Sequence, residues 1–193
     1  IQANEQWGIL KKLEKSIEFL PFLINEKINV NDEVIKLLSG IININFTPLE
    51  NAKILCDYIY KNFNYQKGVT DVFTTIDEIW RIKSGVCQDF TNILIFLCRK
   101  AKIPSRYVSG YVFADEGFRG SVATHAWVEV FIPKYGWLGL DPTNNCIADD
   151  FHIRLAVGRN YDDCAPVKGV YKGNQTQLML SLIHISEPTR PLT

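Results

Sequence analysis

Three residues that could supply a nucleophile, a proton carrier and an orienting carboxylate follow one another along the chain: Cys87, His125 and Asp141. Ser84 is suited to cap a helix that begins near Val86, which would place Cys87 in the first helical turn. The unpaired N–H groups and the dipole at a helix N-terminus stabilise an anion, so this position favours the thiolate form of a cysteine. Cys87 is therefore the candidate nucleophile.

His125 and Asp141 are predicted to lie on neighbouring strands. His125 opens the stretch HAWVEV, Asp141 closes the stretch GWLGLD, and Pro133–Gly136 predicts the turn between them. Pairing around that turn brings together residues whose numbers sum to about 269, so the two side chains come close. An aspartate beside a histidine holds the imidazole tautomer and stabilises the imidazolium. The three residues together predict nucleophilic catalysis by a thiol.

Each of the three residues also has a structural interpretation. A cysteine is most often a small buried hydrophobe, which is what we expect of Cys56 and Cys98 inside their helices. A histidine is most often a packed structural residue, and an Asp-Pro pair commonly opens a turn. The ordered combination favours catalysis over three unrelated roles. His184, near the C-terminus, is not expected to take part in the chemistry, and His152, which follows an acidic turn, is assigned no role.

The sequence predicts neither a metal site nor a cofactor. Its five cysteines contain no CxxC pair, which structural zinc sites usually need. Four acidic residues in the C-terminal part do not match the ligand spacing of a calcium loop, and we expect them in solvated turns. They are Asp149, Asp150, Asp162 and Asp163.

The elements that would position the candidate residues are helical first and extended afterwards. Helical patterns cover residues 5–20, 31–39, 48–63, 75–81 and 86–101. Extended patterns cover residues 106–113, 126–132, 137–140 and 177–185. Helices followed by an antiparallel sheet predict an α+β domain in which the nucleophile helix packs on the sheet.

Two features of the predicted strands leave questions for the structure. Residues 126–132 alternate, so that either the valines or the Trp, Glu and Phe side chains face the core. Arg106 lies on an otherwise apolar strand, where a buried guanidinium needs an acidic partner. We expect Arg106 to have a structural role.

The composition is that of a folded domain without an extreme charge. The chain has 193 residues, 47% of them hydrophobic, with 21 basic and 21 acidic side chains. This balance excludes a disordered chain and argues against a nucleic-acid binder. No apolar run reaches the roughly 20 residues of a membrane span. The low, odd number of cysteines favours reduced thiols, and hence a cytoplasmic location. The sequence assigns no oligomeric state.

The same residues lie in stretches that resemble the transglutaminase-like superfamily, in particular its bacterial cysteine peptidases, which are built on a papain-like core. The resemblance covers about residues 48–180, and its most specific features are the cysteine, HAWVEV and GW…DPT motifs. The matching stretches are SGVCQDF around Cys87, IPSRYVSGYVF at 103–113, HAWVEVFIPKYGWLGLDPTNN at 125–145 and GRNYDDCAPVKGVYKG at 158–173.

The resemblance implies that Cys87 is the nucleophile, His125 the general base and acid, and Asp141 the residue that orients His125. It also implies cleavage of an amide bond in a peptide or protein substrate through a thioester. The Cys87 N–H is one candidate oxyanion donor, and Tyr65, Tyr60 or Gln88 could supply a second. Trp127 and Trp137 are interpreted as walls of the core or of the substrate groove.

The resemblance leaves the acceptor of the acyl group open between water and an amine. We expect hydrolysis, because no inserted segment is evident that would admit an amine and exclude water. The alternatives are a protein-glutamine transglutaminase and a non-catalytic transglutaminase-like module that only binds its partner.

The chain divides into three predicted segments. Residues 1–47 are an N-terminal helical extension, 48–180 the transglutaminase-like catalytic domain and 181–193 a tail. Because Met179 is the only methionine and bacterial members often carry a β-rich domain upstream, we expect a fragment or a processed protein. The tail segment 181–191 is either native or the translation of sequencing-adaptor DNA.

Overall fold

Helices dominate the first half of the chain and strands the second. The computed structural model describes residues 2–25, 27–113, 119 and 124–165, so the strand predicted at 177–185 lies outside the described residues. The helices described are α1 (Ala3–Leu13), α2 (Asn31–Ile41), α3 (Pro48–Asn62), α4 (Ile76–Ile82), α5 (Cys87–Lys100) and α6 (Tyr161–Cys164). The strands described are β1 (Asn64–Tyr65), β2 (Ser84–Gly85), β3 (Ser105–Val112), β4 (His125–Ile132), β5 (Gly136–Asp141), β6 (Cys146–Ile147) and β7 (His152–Gly158).

Five strands form one antiparallel sheet in the order β6-β5-β4-β3-β7. Helix α5 packs on two of its three inner strands, β3 and β4. Residues Val128 and Val130 belong to the hydrophobic core together with Ile93 and Leu94 of α5, whereas Trp127 does not. The valines of β4 therefore face the helices, which answers the question that the alternation left open. The α+β fold with the nucleophile helix packed on the sheet is confirmed.

Helices α3 and α4 begin at capping boxes, which explains why their predicted starts were accurate to one residue. Thr47 accepts a hydrogen bond from the Glu50 N–H, and the Glu50 carboxylate accepts one from the Thr47 N–H. Thr75 and Glu78 repeat this exchange at the start of α4. Each pair satisfies N–H groups that a helix start would otherwise leave unpaired.

The start of α5 differs from the prediction that Ser84 is its cap. The cap residue is Val86, and the Asp89 carboxylate accepts the Val86 N–H at 2.7 Å. Ser84 instead lies in β2, which pairs in parallel with β1, and its hydroxyl donates to the Asn64 carbonyl. A carboxylate three residues into the helix can cap it from within, so the preceding serine is free for the strand pair. Cys87 is the first residue of the helix.

The β4–β5 hairpin confirms the predicted strand pair with a register shifted by one residue. Ile132 pairs with Gly136, and Val128 pairs with Leu140, so facing residues sum to 268. The prediction treated all of Pro133–Gly136 as turn, but Gly136 already belongs to β5 and leaves a three-residue loop. Lys134 in that loop has φ 66°, the left-handed conformation that such a short loop needs.

The N-terminal residues share the core with the rest of the chain. Leu10 of α1 and Val34 and Leu38 of α2 are buried in the same hydrophobic cluster as α3 and α5. Phe19 and Phe22 make ring contacts with Trp137 of β5. The division at residues 47/48 stays a prediction. No helix among the described residues is long and apolar enough to cross a membrane.

The expected buried partner of Arg106 is Glu129 on the adjacent strand. Arg106 Nη2 lies 2.6 Å from Glu129 Oε2, and both side chains are largely buried. Arg154 of β7 approaches the other carboxylate oxygen at 2.9 Å. One carboxylate therefore links β3, β4 and β7, which agrees with a structural role for Arg106.

Candidate active site

Cys87 is placed at the start of α5 by the strand pair and by the cap that precede it. Tyr65 of β1 pairs with Gly85 of β2, and the Asp89 carboxylate closes the turn that leads into the helix. The Cys87 side chain is half-buried, unlike Cys56, Cys98 and Cys164, which are buried in the core. The local fold therefore places the Cys87 thiol next to the unpaired N–H groups of the helix start and leaves it accessible to solvent.

His125, the first residue of β4, is enclosed by the protein. Its Nε2 lies 2.8 Å from Asp141 Oδ2, and neither side chain is exposed. Burial on its own lowers the pKa of His125, but the hydrogen bond with Asp141 and the neighbouring Cys87 thiol raise it to about 9. The ring's Nδ1 is buried and has no hydrogen-bond partner among the described residues. Nδ1 is therefore the nitrogen that remains for proton exchange with the thiol.

Asp141, the last residue of β5, receives hydrogen bonds on both carboxylate oxygens. The N–H groups of Thr143 and Asn144 donate to Oδ1 at 2.8 and 3.3 Å, and the Asn144 side chain donates to Oδ2 at 2.7 Å. Burial favours the protonated form, but the bonds with His125, His152 and Asn144 hold the pKa of Asp141 well below its ordinary value. The carboxylate is thus ionised and fixed beside His125.

His152, to which the sequence assigned no role, contacts the same carboxylate. Its Nε2 lies 3.3 Å from Asp141 Oδ2, its Nδ1 lies 3.1 Å from Asp149 Oδ1, and its side chain is 1% exposed. Burial lowers the pKa of His152, but Asp141, Cys146 and Asp149 raise it to about 10. No local sequence pattern indicated that His152 belongs to the site. His152 begins β7, and strands β4 and β3 lie between β7 and the strand of Asp141, β5, in the sheet.

Asn144 is a second residue whose place in the site was not predicted. Besides its bond to Asp141, its side chain bonds both backbone groups of Arg119. The Arg119 guanidinium lies 5.9 Å from the Tyr65 ring centroid. Asn144 therefore connects the orienting carboxylate with the surroundings of the thiol. The adjacent Asp-Pro-Thr-Asn run was the signal that could have indicated it.

The three further site candidates fall in three different surroundings. Tyr65 is close enough to Cys87 for the thiol to raise its pKa, after the larger effect of burial. Gln88 lines a polar groove of about 220 Å³ with Phe73, Thr75 and other residues. Trp127 stacks on His125 with ring centroids 6.3 Å apart and is buried. The structure therefore brings Tyr65 to the thiol, Gln88 to a groove beside it and Trp127 behind the imidazole.

The arrangement is chemically suited to nucleophilic attack by sulfur. A helix start carries the thiol, a buried imidazole retains one free nitrogen, and a fixed carboxylate holds the other nitrogen. The Cys87 N–H points out of the first helical turn, where it has no intrahelical acceptor. Such a set can attack a carbonyl carbon and move a proton to a leaving group.

Comparison with known proteins identifies the family. The model of the transglutaminase-like superfamily matches residues 36–142. An uncharacterized protein of Mycobacterium tuberculosis is 34% identical over 143 residues, which is 69% of this chain and 46% of the relative. The chain thus spans about half the length of this relative.

Two further proteins are similar to this chain. A candidate cysteine protease from Cytophaga hutchinsonii has a similar solved structure, with a TM-score of 0.68 and 27% identity over 86% of this chain and 55% of that one. A protein-glutamine gamma-glutamyltransferase of Pseudomonas aeruginosa is 36% identical over 73 residues, 35% of this chain and 11% of that protein. These similarities bear out the resemblance and the fold expected from it.

Proposed function

The chain belongs to the transglutaminase-like superfamily, and from this premise we propose that it is a cysteine-dependent enzyme that hydrolyses amide bonds in a peptide or protein substrate. The observation that carries the proposal is the buried His125–Asp141 hydrogen bond next to a half-buried thiol at a helix start. A purely structural histidine is expected to have both ring nitrogens hydrogen-bonded, whereas Nδ1 of His125 is buried without such a partner among the described residues and Cys87 is its neighbour.

In the first half-reaction the Cys87 sulfur attacks the carbonyl carbon of the substrate amide. The C–N bond breaks, His125 gives its proton to the leaving amine, and a thioester remains on Cys87. Asp141 keeps the imidazole oriented and stabilises its charged form. The Cys87 N–H and the Tyr65 hydroxyl are the proposed donors to the oxyanion.

In the second half-reaction water attacks the thioester. His125 accepts a proton from the water as the C–O bond forms, the C–S bond then breaks and releases the carboxylic acid, and His125 returns the proton to the Cys87 sulfur. Hydrolysis is supported by the solvent access of Cys87 and by the similarity to the Cytophaga hutchinsonii protein over most of the chain. The similarity to the gamma-glutamyltransferase keeps amine transfer as a second candidate.

The two reactions separate in a paired assay. The full chain is incubated with a peptide library and, in parallel, with a glutamine-containing protein and a labelled primary amine. Peptide cleavage or ammonia release that disappears in Cys87→Ser supports hydrolysis. Efficient amine incorporation with little hydrolysis would replace it by transfer.

A control variant distinguishes the effect of removing the proposed nucleophile, Cys87, from the effect of replacing any other cysteine by serine. Cys164 is buried and its sulfur contacts the Tyr107 carbonyl at 3.9 Å, a contact that a serine hydroxyl can replace. Cys164→Ser should keep the activity that Cys87→Ser loses. Equal activity of both variants would contradict catalysis by Cys87 and favour a module that only binds.

A further inference from the structure

Behind Asp141 lies a cluster of three potential metal ligands. The ligand atoms of Asp141, Cys146 and His152 all lie within 4.8 Å of one another. They come from the end of β5 and the starts of β6 and β7, and Cys146 pairs directly with Asp141 in the sheet. The proposed reaction uses neither Cys146 nor His152. The members of the cluster come from three different strands, so the group has neither a CxxC pair nor a calcium-loop spacing by which the sequence could have indicated it.

We propose that Asp141, Cys146 and His152 bind a zinc ion. Thiolate, imidazole and carboxylate are the ligand types that zinc takes in tetrahedral sites, whereas magnesium and calcium prefer oxygen ligands alone. The distance between Asp141 Oδ2 and His152 Nε2 is 3.3 Å. Two ligands at zinc bond lengths in a tetrahedral site lie about 3.3 Å apart, so this pair is already spaced for the ion. Solvent would fill the fourth position.

The surrounding hydrogen bonds already orient two of the ligands. His152 Nδ1 lies 3.1 Å from Asp149 Oδ1 and 3.2 Å from the Asp149 backbone nitrogen. In the tautomer that carries its proton on Nδ1, this nitrogen donates to Oδ1, which is the carboxylate–histidine arrangement that directs Nε2 to a metal. The N–H groups of Thr143 and Asn144 hold Asp141 Oδ1. Oδ2 is thereby turned towards the cluster. Binding of the ion would replace the hydrogen bonds that Oδ2 makes with His125 Nε2 and with the Asn144 side chain, while the contacts on Asp141 Oδ1 and His152 Nδ1 stay in place.

The cluster can be reached from the surface through Cys146. This side chain is half-buried and lines a cavity of about 430 Å³ together with Asp57, Asn145 and Ile147. A divalent ion can therefore enter from the side of the sheet edge, away from Cys87.

The ion would act on the site through Asp141. His125 and His152 both approach the same oxygen, Asp141 Oδ2. An ion on Oδ2 competes with the hydrogen bond that orients His125, so occupancy reversibly inhibits the enzyme. This consequence rests on the proposed function, whereas the binding of the ion does not.

Cobalt(II) gives a direct test, since its thiolate and tetrahedral complexes absorb visible and near-ultraviolet light. The full, untagged chain is treated with a chelator, the chelator is removed, and cobalt is added, followed by zinc. We expect one cobalt per chain, a sulfur-to-cobalt absorption band and its loss on addition of zinc. The band should be absent in Cys146→Ser and present in Cys87→Ser.

Two results would overturn the site. A band that persists in Cys146→Ser, or one that disappears in Cys87→Ser, would assign the ion to other ligands. Asp149→Asn tests the site through an exposed residue, and zinc affinity should fall about tenfold. Unchanged affinity in Asp149→Asn would contradict the proposed ligand geometry.

The inhibition is measured separately from binding. Zinc should lower the wild-type rate at concentrations at least about tenfold below those needed for Cys146→Ser, each relative to its own metal-free rate. Equal inhibition of both would refute the regulatory consequence. If no amide substrate is cleaved but the cobalt band depends on Cys146, the proposed function fails and the metal site stands.

Discussion

His125 Nε2 lies 2.8 Å from Asp141 Oδ2 in a position where neither side chain reaches solvent. Asp141→Asn should therefore keep the fold but cut turnover by on the order of 10⁴-fold, because an amide can select the wrong imidazole tautomer. Steady-state kinetics and a thermal melt measure the two effects. Asp150→Asn, which changes an exposed aspartate, is the matched control. Wild-type turnover in Asp141→Asn would transfer the orienting role to another group, with Asn144 the nearest.

Cys87 should be the first of the five thiols to be alkylated. Burial raises the pKa of three thiols, those of Cys56, Cys98 and Cys164. The pKa rises to about 12 for Cys98 and to about 11 for Cys164. Cys87 instead lies half-buried at a helix start beside His125. Iodoacetamide at about pH 7 should label it before the others, as read by peptide mass spectrometry. Cys146, equally half-buried but outside a helix start, is the internal control, and equal labelling of both would count against the site.

The stability that His125 contributes should depend on pH. Its pKa is raised to about 9 in the folded chain, from an ordinary value near 6.5. A raised pKa means that the folded state holds the proton more tightly, so the contribution is fully present below about pH 6.5 and is lost as the pH rises through about 9. The difference in unfolding free energy between wild type and His125→Gln should shrink over this range. Urea unfolding at several pH values measures it, and a constant difference would contradict the charged pair.

Tyr65 and Gln88 should respond differently to truncation. Tyr65 is held next to Cys87 by the pairing of β1 with β2, so Tyr65→Phe removes a proposed oxyanion donor. We expect kcat to fall about 10²-fold. Gln88 lines the neighbouring groove, so Gln88→Ala should mainly raise KM. A fall in kcat for Gln88→Ala together with a rise in KM for Tyr65→Phe would instead make Gln88 the oxyanion donor and Tyr65 the residue that binds substrate.

Gly85 should not tolerate even a methyl group. A Cβ at this position would lie 2.7 Å from Asp89 Cβ and closer still to its Oδ2, displacing the carboxylate that caps α5. Gly85→Ala should cost about 1–3 kcal/mol and slow the alkylation of Cys87. Gly40→Ala is the control, because open space surrounds this glycine within α2 and alanine favours helix. Equal stability of the two variants would show that Asp89 can move freely.

Local patterns predicted the parts of the fold that depend on neighbours in sequence. The apolar spacing located α3 and α5, and the short helical pattern located α4, each to within about a residue, and alternation located β4. Each of these signals lies within the element it predicts. The motifs around Cys87, His125 and Asp141 likewise predicted that the three residues lie close together. In the structure His125 contacts Asp141 and has Cys87 as a neighbour.

The parts that sequence reasoning missed depend on distant partners. Strands β1 and β2 have two residues each, too few for any periodicity, and they exist because they pair with each other. Cys146 and His152 begin β6 and β7, the two edge strands of the sheet. Only the assembly of the whole sheet brings them close to Asp141. Ser84 was mistaken for a helix cap because a serine before a helix and a serine in a strand pair look alike in sequence.

The β4–β5 hairpin has a consequence for the order in which the site assembles. His125 and Asp141 are joined by a three-residue loop and are 16 positions apart, whereas Cys87 belongs to a helix that closes onto β4 from much further along the chain. Contacts between nearby residues close small loops and form with less entropic cost than distant ones. The acid–base pair is thus a local element that a nascent chain can form as one hairpin. The nucleophile joins it only when α5 docks, so reactivity at Cys87 reports the completion of folding and not its beginning.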